Sequence, residues 1–327
     1  MSKILVTGAT GFVGSHLTKR LLSEGKDVRI LVRPNRDLLS LGFNGAEVMI
    51  GDLTDAQSVR QVMRGVDVVY HIAAVFRVVG IPDKAYWAVN YGGTLNMLQA
   101  AVDEGVDRFI YCSTCGVQGD IRNPPATEDS PYNPGDVYQL SKAMAEQEVL
   151  RFHREKGLPV TIVRPVAVYG PGDTRWLKLF RSIARRRFVM IGSGETLIHM
   201  VYISDLIDAF CLSAEKQNAI GRVYTIGGER YLTLNELVRI ISNVFGVRPP
   251  RWSIPFLPVR FLTGVCEDVC RALHIEPPIF RRRVDFFIKN RAFDISRAKA
   301  ELGFQPKVDV EEGVRLTASW YRKQGWL

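Results

Sequence analysis

The stretch Thr7-Gly8-Ala9-Thr10-Gly11-Phe12-Val13-Gly14 constrains this chain more than any other. It follows a short apolar run with strand character (3–7) and opens a segment with helical apolar spacing (12–23). Glycines allow a tight turn and let the backbone approach a bound diphosphate closely. A helix start adds unpaired N–H groups and the positive end of its dipole. A strand, a Gly-rich turn and a helix in that order are the setting of a dinucleotide-binding loop and the first βα unit of a parallel sheet. The spacing here is GxxGxxG rather than the commoner GxGxxG.

The rest of the first half keeps this alternation. Strands are predicted over 27–32, 47–50 (ending at Gly51-Asp52), 66–73, 108–113 and 159–164, with helices around 57–63, 86–104 (stopped by Gly105) and 136–155. Strands apolar on both faces and separated by helices make a parallel sheet covered on two sides. Right-handed crossovers then give a doubly wound α/β (Rossmann) fold. After Gly170-Pro171-Gly172 the pattern loosens into a helix over 176–186. A helix over 204–214 and a strand over 222–226 are placed to rejoin the sheet. Asp309 and Glu312 form a capping box that opens a helix running to 321. The expected division is a dinucleotide-binding domain from 1–172 and 199–228, and a second, smaller mixed α/β substrate domain from 173–198 and 229–327.

Composition narrows the class. The 327 residues are 46% hydrophobic and 24% charged, which excludes a disordered chain. The opening MSKILVTGATG enters a strand pattern with none of the succession of a secretory signal. No run reaches the roughly 18–20 uncharged apolar residues of a membrane span; the stretch 254–265 is broken by Pro255, Pro258 and Arg260. A cytoplasmic protein is therefore expected. The net charge of +9 includes the runs Arg185-Arg186-Arg187 and Arg281-Arg282-Arg283. No nucleic-acid motif accompanies them, so a solvated face or a small anionic ligand is expected and a nucleic acid is not. Of the 5 cysteines, Cys112 and Cys115 have CxxC spacing, and Cys266 and Cys270 could share a helix face. They read as small buried thiols, with no metal site expected.

The second strand ends Val32-Arg33-Pro34, with Arg36 soon after, and has no carboxylate at its tip. A carboxylate there would accept from the ribose 2′-hydroxyl of NAD, whereas a guanidinium grips the 2′-phosphate of NADP. NADP is therefore favoured over NAD. Tyr138 and Lys142 form a YxxxK pair on one face of the helix over 136–155. The strand ending Tyr111-Cys112-Ser113-Thr114 brings hydroxyls to the carboxyl edge of the sheet, where ligands bind in doubly wound folds.

Together these residues resemble the extended short-chain dehydrogenase/reductase superfamily, the group of NAD-dependent epimerase/dehydratase and 3β-hydroxysteroid dehydrogenase-like enzymes. The likeness extends to Gly51-Asp52-Leu53, whose counterparts touch the adenine, and to His71-Ile72-Ala73-Ala74 beneath the cofactor. It also includes Asn90 in Asn90-Tyr91-Gly92-Gly93-Thr94, the segment Arg164-Pro165-Val166-Ala167-Val168-Tyr169-Gly170-Pro171-Gly172, and Phe293-Asp294-Ile295-Ser296.

The resemblance implies hydride transfer at a secondary alcohol or ketone. Tyr138 would be the proton shuttle, assisted by the positive charges of Lys142 and the oxidised nicotinamide, because a phenol with a pKa near 10 is a poor base at neutral pH. Thr114 would bond the substrate oxygen, with Ser113 second in rank. The cofactor would be held by Gly8, Thr10, Gly11, Phe12, Val13, Gly14, Arg33, Asp52, Leu53, Ala73, Ala74, Asn90, Tyr138, Lys142, Pro165 and Val168.

Departures from the family pattern refine this. Cys115-Gly116 follow Thr114 where sugar-nucleotide dehydratases carry Asp-Glu, so elimination of water is not expected. Ala167 stands where many nucleotide-sugar enzymes have Asn, and Gln118 where Tyr is common. The expected protein is an NAD(P)-dependent oxidoreductase acting on a small, partly apolar molecule of sterol-like or polyketide-like type. A nucleotide-sugar epimerase is the alternative, and a non-catalytic dinucleotide-binding sensor a third reading. A homodimer through the helices over 86–104 and 136–155 is implied by resemblance. The aromatic stretch holding Trp252, Phe256, Phe261, Phe280, Phe286 and Phe287 reads first as core of the smaller domain, second as the wall of an apolar pocket, and third as a membrane-surface contact.

Overall fold

The computed structural model describes residues 2–34, 42–76, 80–250, 252–272 and 285–327, with backbone alone for 265–272. Arg36, Phe280, Arg281 to Arg283 and the side chains of Cys266 and Cys270 lie outside the described residues.

Strand β1 (Lys3–Thr7) is apolar on both faces because both faces are covered, and it is an interior strand of the main sheet. Helix α1 (Phe12–Ser23) leads to β2 (Asp27–Val32) and β3 (Glu47–Ile50) on one side of it. Helix α2 (Ala56–Met63), capped by Asp55, leads to β4 (Val68–His71) on the other. There follow α3 (Asp83–Tyr86), a π-helical turn (Trp87–Gly92), α4 (Gly93–Glu104) and β5 (Arg108–Cys112). Helix α5 (Val137–Lys156) starts at Asp136, whose carboxylate accepts from the Gln139 amide, and ends at Gly157 in the left-handed region. Strand β6 (Val160–Pro165) comes next.

The remaining elements are β7 (Ala167–Tyr169), α6 (Leu177–Ala184), β8 (Met190–Ile191), β9 (Leu197–Tyr202), α7 (Ile203–Glu215), β10 (Arg222–Ile226), β11 (Tyr231–Thr233), α8 (Leu234–Val244), β12 (Ser253–Ile254), α9 (Phe256–Ala272) and α10 (Val310–Lys323). The predicted capping box opens α10, with the Glu312 amide donating to Asp309 Oδ1 at 2.7 Å.

The main sheet is wholly parallel, in the order β10-β6-β5-β4-β1-β2-β3. Alternation along each strand divides the apolar side chains between two cores. Leu5, Val69 and Phe109 point to α2, α4 and α5. Ile4, Val6, Val28 and Ile110 point to α1 and α7. The chain reverses its direction of winding between β1 and β4, and this opens a crevice at their carboxyl ends. The smaller sheets, β11-β9-β7 and β12-β8, flank that edge.

Three expectations need correction. The strand over 66–73 is reduced to Val68–His71, because residues beyond His71 leave the sheet to line the crevice. The single helix over 86–104 begins earlier and is interrupted by the π turn, where Asn90 bonds outside its own helix. The aromatic stretch is not one core: Phe286 and Phe287 pack on Trp176 and Phe188, while Trp252 and Phe261 face solvent. Among the described residues, no helix is long and apolar enough to cross a membrane, and no cluster of three or more His, Cys, Asp or Glu could hold a metal.

Candidate active site

Steric demand singles out the glycine loop. Gly8 has φ +74°, and a Cβ there would lie 2.7 Å from the Ala73 amide nitrogen. A Cβ on Gly14 would lie 2.1 Å from the Gly8 carbonyl oxygen. Only glycine lets β1, the end of β4 and the start of α1 come this close. Gly11 caps α1 without any side-chain hydrogen bond, so the first-turn amides near Phe12 and Val13 are left for an anionic ligand. Ala9 and Gly14 are buried, Thr10 is half-buried and Gly11 exposed. This is a cradle that a Cβ would fill, and it fits a diphosphate.

At the β2 tip Arg33 is exposed and has no hydrogen bond or ion pair among the described residues. The next strand tip is held by Asp52, whose Oδ1 accepts from the Thr54 amide at 2.8 Å and the Thr54 hydroxyl at 2.7 Å. Leu53 is buried against α4, and its carbonyl accepts from Asn96 at 2.8 Å.

Beneath the crevice runs a chain of hydrogen bonds. The Thr94 hydroxyl donates to the Asn90 carbonyl (2.7 Å), so it accepts from His71 Nε2 (3.0 Å). His71 Nδ1 then accepts from the Thr7 hydroxyl (2.8 Å), which in turn accepts from the Ala73 amide (3.3 Å). Burial, with the Lys142 charge adding to it, pushes His71 down to about 3, so the imidazole is neutral. Asn90 pins the loop after β4 through both backbone groups of Val75, at 2.8 and 3.1 Å, and donates to the Ser141 hydroxyl at 3.0 Å. This side-chain demand coincides with the π turn, a feature that recurs at functional sites.

Helix α5 carries Tyr138, Lys142 and Glu146 on one face, at i, i+4 and i+8. Tyr138 is buried edge-on against Phe76, with ring centroids 4.8 Å apart. Lys142 is buried with its ammonium 4.0 Å from the Tyr111 ring centroid, and it has no hydrogen bond or ion pair among the described residues. Burial lowers its pKa to about 8, against the opposing pull of Cys112 and Glu146. Thr114 caps the short helical turn after β5, its hydroxyl oxygen accepting from the Gly116 amide at 3.0 Å, so its proton is available to a substrate oxygen. Gly116 abuts Gln139, where a Cβ would lie 3.3 Å from the Gln139 Cγ, and this brings the Thr114 turn against the start of α5.

Ser113, the second-ranked hydroxyl, points elsewhere and donates to Glu146. Glu146, which spacing from Tyr138 could have flagged, is fully buried. It accepts from Tyr132 at 2.8 Å and from Arg164, at 3.0 Å from Nε and 2.5 Å from Nη2. Arg164 also donates to the Glu128 carbonyl at 2.9 Å. Gln118 staples the following loop through the Thr127 and Ser130 carbonyls and stands away from the chemistry. Cys112 and Cys115 bond different backbone carbonyls, those of Ser113 and Arg164, and burial pushes both thiols up.

Pro165 ends β6, and the buried Val168 offers its carbonyl to Arg175 (2.8 Å) and to the Trp176 indole (3.1 Å). No sequence signal flagged Arg175. Its guanidinium lies 5.5 Å from the Phe12 ring and 5.6 Å from the Phe76 ring, and so bridges the glycine loop and the neighbour of Tyr138. Ala73 is half-buried and Ala74 exposed just after β4.

Comparison with known proteins agrees with this geometry. The profile of the NAD dependent epimerase/dehydratase family matches residues 4–227. Sterol demethylase protein B of Methylococcus capsulatus is 30% identical, over 99% of this chain and 99% of its own. The 3 beta-hydroxysteroid dehydrogenase/Delta 5→4-isomerase of Mycobacterium tuberculosis is 30% identical, over 98% of this chain and 90% of its own. The crystal structure of UDP-glucose 4-epimerase with UDP-glucose from Thermotoga maritima superposes with a TM-score of 0.80 at 26% identity, covering 98% of this chain and 99% of that one. The chain belongs to the NAD dependent epimerase/dehydratase family and is an enzyme of the extended short-chain dehydrogenase/reductase type.

Proposed function

We propose that this enzyme moves a hydride between a nicotinamide cofactor and a secondary alcohol or ketone, on a partly apolar substrate of sterol-like or polyketide-like type. The observation that carries the reading is the buried Lys142 ammonium, which has no acidic partner in contact among the described residues and shares a helix face with Tyr138. A buried cation without a counter-ion is costly, and its use here is to favour the phenolate form of Tyr138 and to bond the nicotinamide ribose. In the oxidative direction Tyr138 Oη takes the proton of the substrate hydroxyl, while Thr114 Oγ1 donates to the same oxygen and steadies the charge on it. In reduction the proton returns by the same route. The glycine loop would hold the diphosphate of the dinucleotide, whose nicotinamide would supply the carbon that accepts or returns the hydride.

Two relatives named for sterols or steroids support an apolar substrate. So do the rings of Phe76, Trp176 and Phe286 beside the crevice. The smaller domain, from 173–198 and 229–327, is proposed to hold that substrate. Arg33, exposed at the β2 tip, supports NADP over NAD. Leu140, exposed on α5, supports a homodimer through α4 and α5. The epimerase reading draws on the similarity to the Thermotoga maritima structure. Ala167 in place of Asn weighs against it, and the retained Tyr138–Lys142 pair weighs against a non-catalytic sensor.

Incubation of the purified protein with NADP(H) or NAD(H) and a panel of hydroxysteroids and ketones tests the proposal. A net change in nicotinamide absorbance is expected. Conversion of UDP-glucose to its epimer with no net change would replace it with the epimerase reading, and cofactor binding without either would leave the sensor. Arg33→Asp is expected to weaken NADP by about 10–100-fold, the loss of a charge-assisted contact, and NAD far less; equal losses would remove the NADP preference.

A further inference from the structure

The rim of the smaller lobe carries an exposed surface that the hydride-transfer site does not use. Parallel pairing of β8 with β12 sets Ser253 beside Met190 and Ile254 beside Ile191. This brings Trp252 alongside Val189 and next to the run Arg185-Arg186-Arg187, all three of them exposed. Helix α9 starts two residues after β12. It turns Phe256, Val259 and Thr263 inward and leaves Leu257, Phe261 and Leu262 outward. Exposure is 85% at Trp252, 76% at Leu257, 71% at Phe261 and 65% at Leu262, values far above what a lone surface hydrophobe needs for explanation. Arg260, over the Phe256 ring, and Arg248 complete a basic border. No Asp or Glu occurs anywhere in 185–191 or 248–264.

We infer that this rim docks the enzyme on the surface of an anionic phospholipid bilayer, with Trp252, Leu257, Phe261 and Leu262 entering the interface and the arginines meeting lipid phosphates. A face with Trp, Phe and Leu beside Arg185 to Arg187, Arg248 and Arg260 is the pattern of an interfacial segment, held by apolar burial together with attraction to anionic lipid. Charge argues against a second copy as the occupant: an isologous contact would set the patch against itself, with the run Arg185 to Arg187 and Arg260 of one copy facing the same arginines of the other. The rim also connects to the site. Phe188, next to Val189, stacks on Phe287 (6.3 Å), which meets Phe286 (5.2 Å), which meets Trp176 (6.1 Å), the residue bonded to Val168. The inference does not depend on which substrate the crevice takes.

Co-sedimentation of the full chain with vesicles tests it. The protein is expected to partition onto vesicles of equal parts phosphatidylcholine and phosphatidylglycerol, to ignore pure phosphatidylcholine, and to be released by salt. Each arginine near the surface contributes about fivefold, so R185E/R186E/R187E is expected to lose about 100-fold or more. L257S/F261S is expected to lose binding while keeping wild-type cofactor affinity and unfolding temperature, which separates docking from folding. Absence of partitioning, equal binding to both vesicle types, or variants that bind like the wild type would overturn the inference. So would a concentration-dependent dimer that L257S/F261S dissociates, in a protein that ignores vesicles.

Discussion

The carboxyl edge of the main sheet and the rim formed by β8, β12 and the start of α9 treat charge and aromatic rings in opposite ways. At the edge Glu146 and Arg164 are both buried, and the carboxylate is saturated by Arg164, Tyr132 and Ser113. At the rim Arg185, Arg186 and Arg187 stand in solvent beside Trp252 and Phe261, two rings that pack on little. Burying an ion without a partner is costly, so the edge must be closed and specific, and Lys142, buried there with no acid in contact among the described residues, is where the proposed chemistry is placed. The rim has no such constraint, and its composition is set by what it meets outside the molecule.

The largest effect that would sharpen this contrast is expected from Glu146→Ala, which strands the Arg164 guanidinium in the interior. It should cost about 3–5 kcal/mol in denaturant unfolding. A loss below 1 kcal/mol would mean that the edge network is not a closed ion pair.

Lys142 gives a smaller, pH-dependent effect. Its folded pKa is lowered to about 8 from 10.5, so the ammonium is lost in the native state as pH rises through about 8 while the unfolded chain keeps its proton to about 10.5. Because the unfolded state binds more protons in that window, stability should rise from pH 8 to 10.5 and fall back below it. Cofactor affinity should move the other way and drop about tenfold above pH 8 as the charged donor disappears. Lys142→Arg should remove this pH dependence, since a guanidinium stays protonated. An unchanged profile would show that another group governs binding.

The smallest effect is expected at the rim, where Phe261→Ser should change stability by no more than about 0.5 kcal/mol. A loss of 2 kcal/mol would show that the ring is covered after all and would collapse the distinction between the two regions.

Local signals made the edge readable from sequence. Glycine at 8, 11 and 14, the capping box at Asp309 and Glu312, and the period of the apolar residues each act within a turn or two of the chain, and the strands and helices follow them. What stayed hidden depends on contacts between distant segments. The π turn exists because Asn90 reaches Val75 and Ser141. The strand ending at His71 is short because the following loop is held by Asn90 rather than by the sheet. The pull of Glu146 on Ser113, which left Thr114 as the available hydroxyl, needs β5, α5 and β6 assembled together. At the rim, apolar residues on a helix give the same pattern whether they face a core or solvent, and only the packed structure distinguishes Phe287 from Phe261.

The proposed hydride transfer requires Tyr138 to pass a proton with Lys142 beside it, and turnover of Tyr138→Phe measured together with its cofactor dissociation constant tests this most directly. The prediction is a fall in turnover of about 10²–10⁴-fold, with cofactor affinity held within a few-fold of the wild type. Wild-type turnover in a folded, cofactor-binding Tyr138→Phe protein would contradict it.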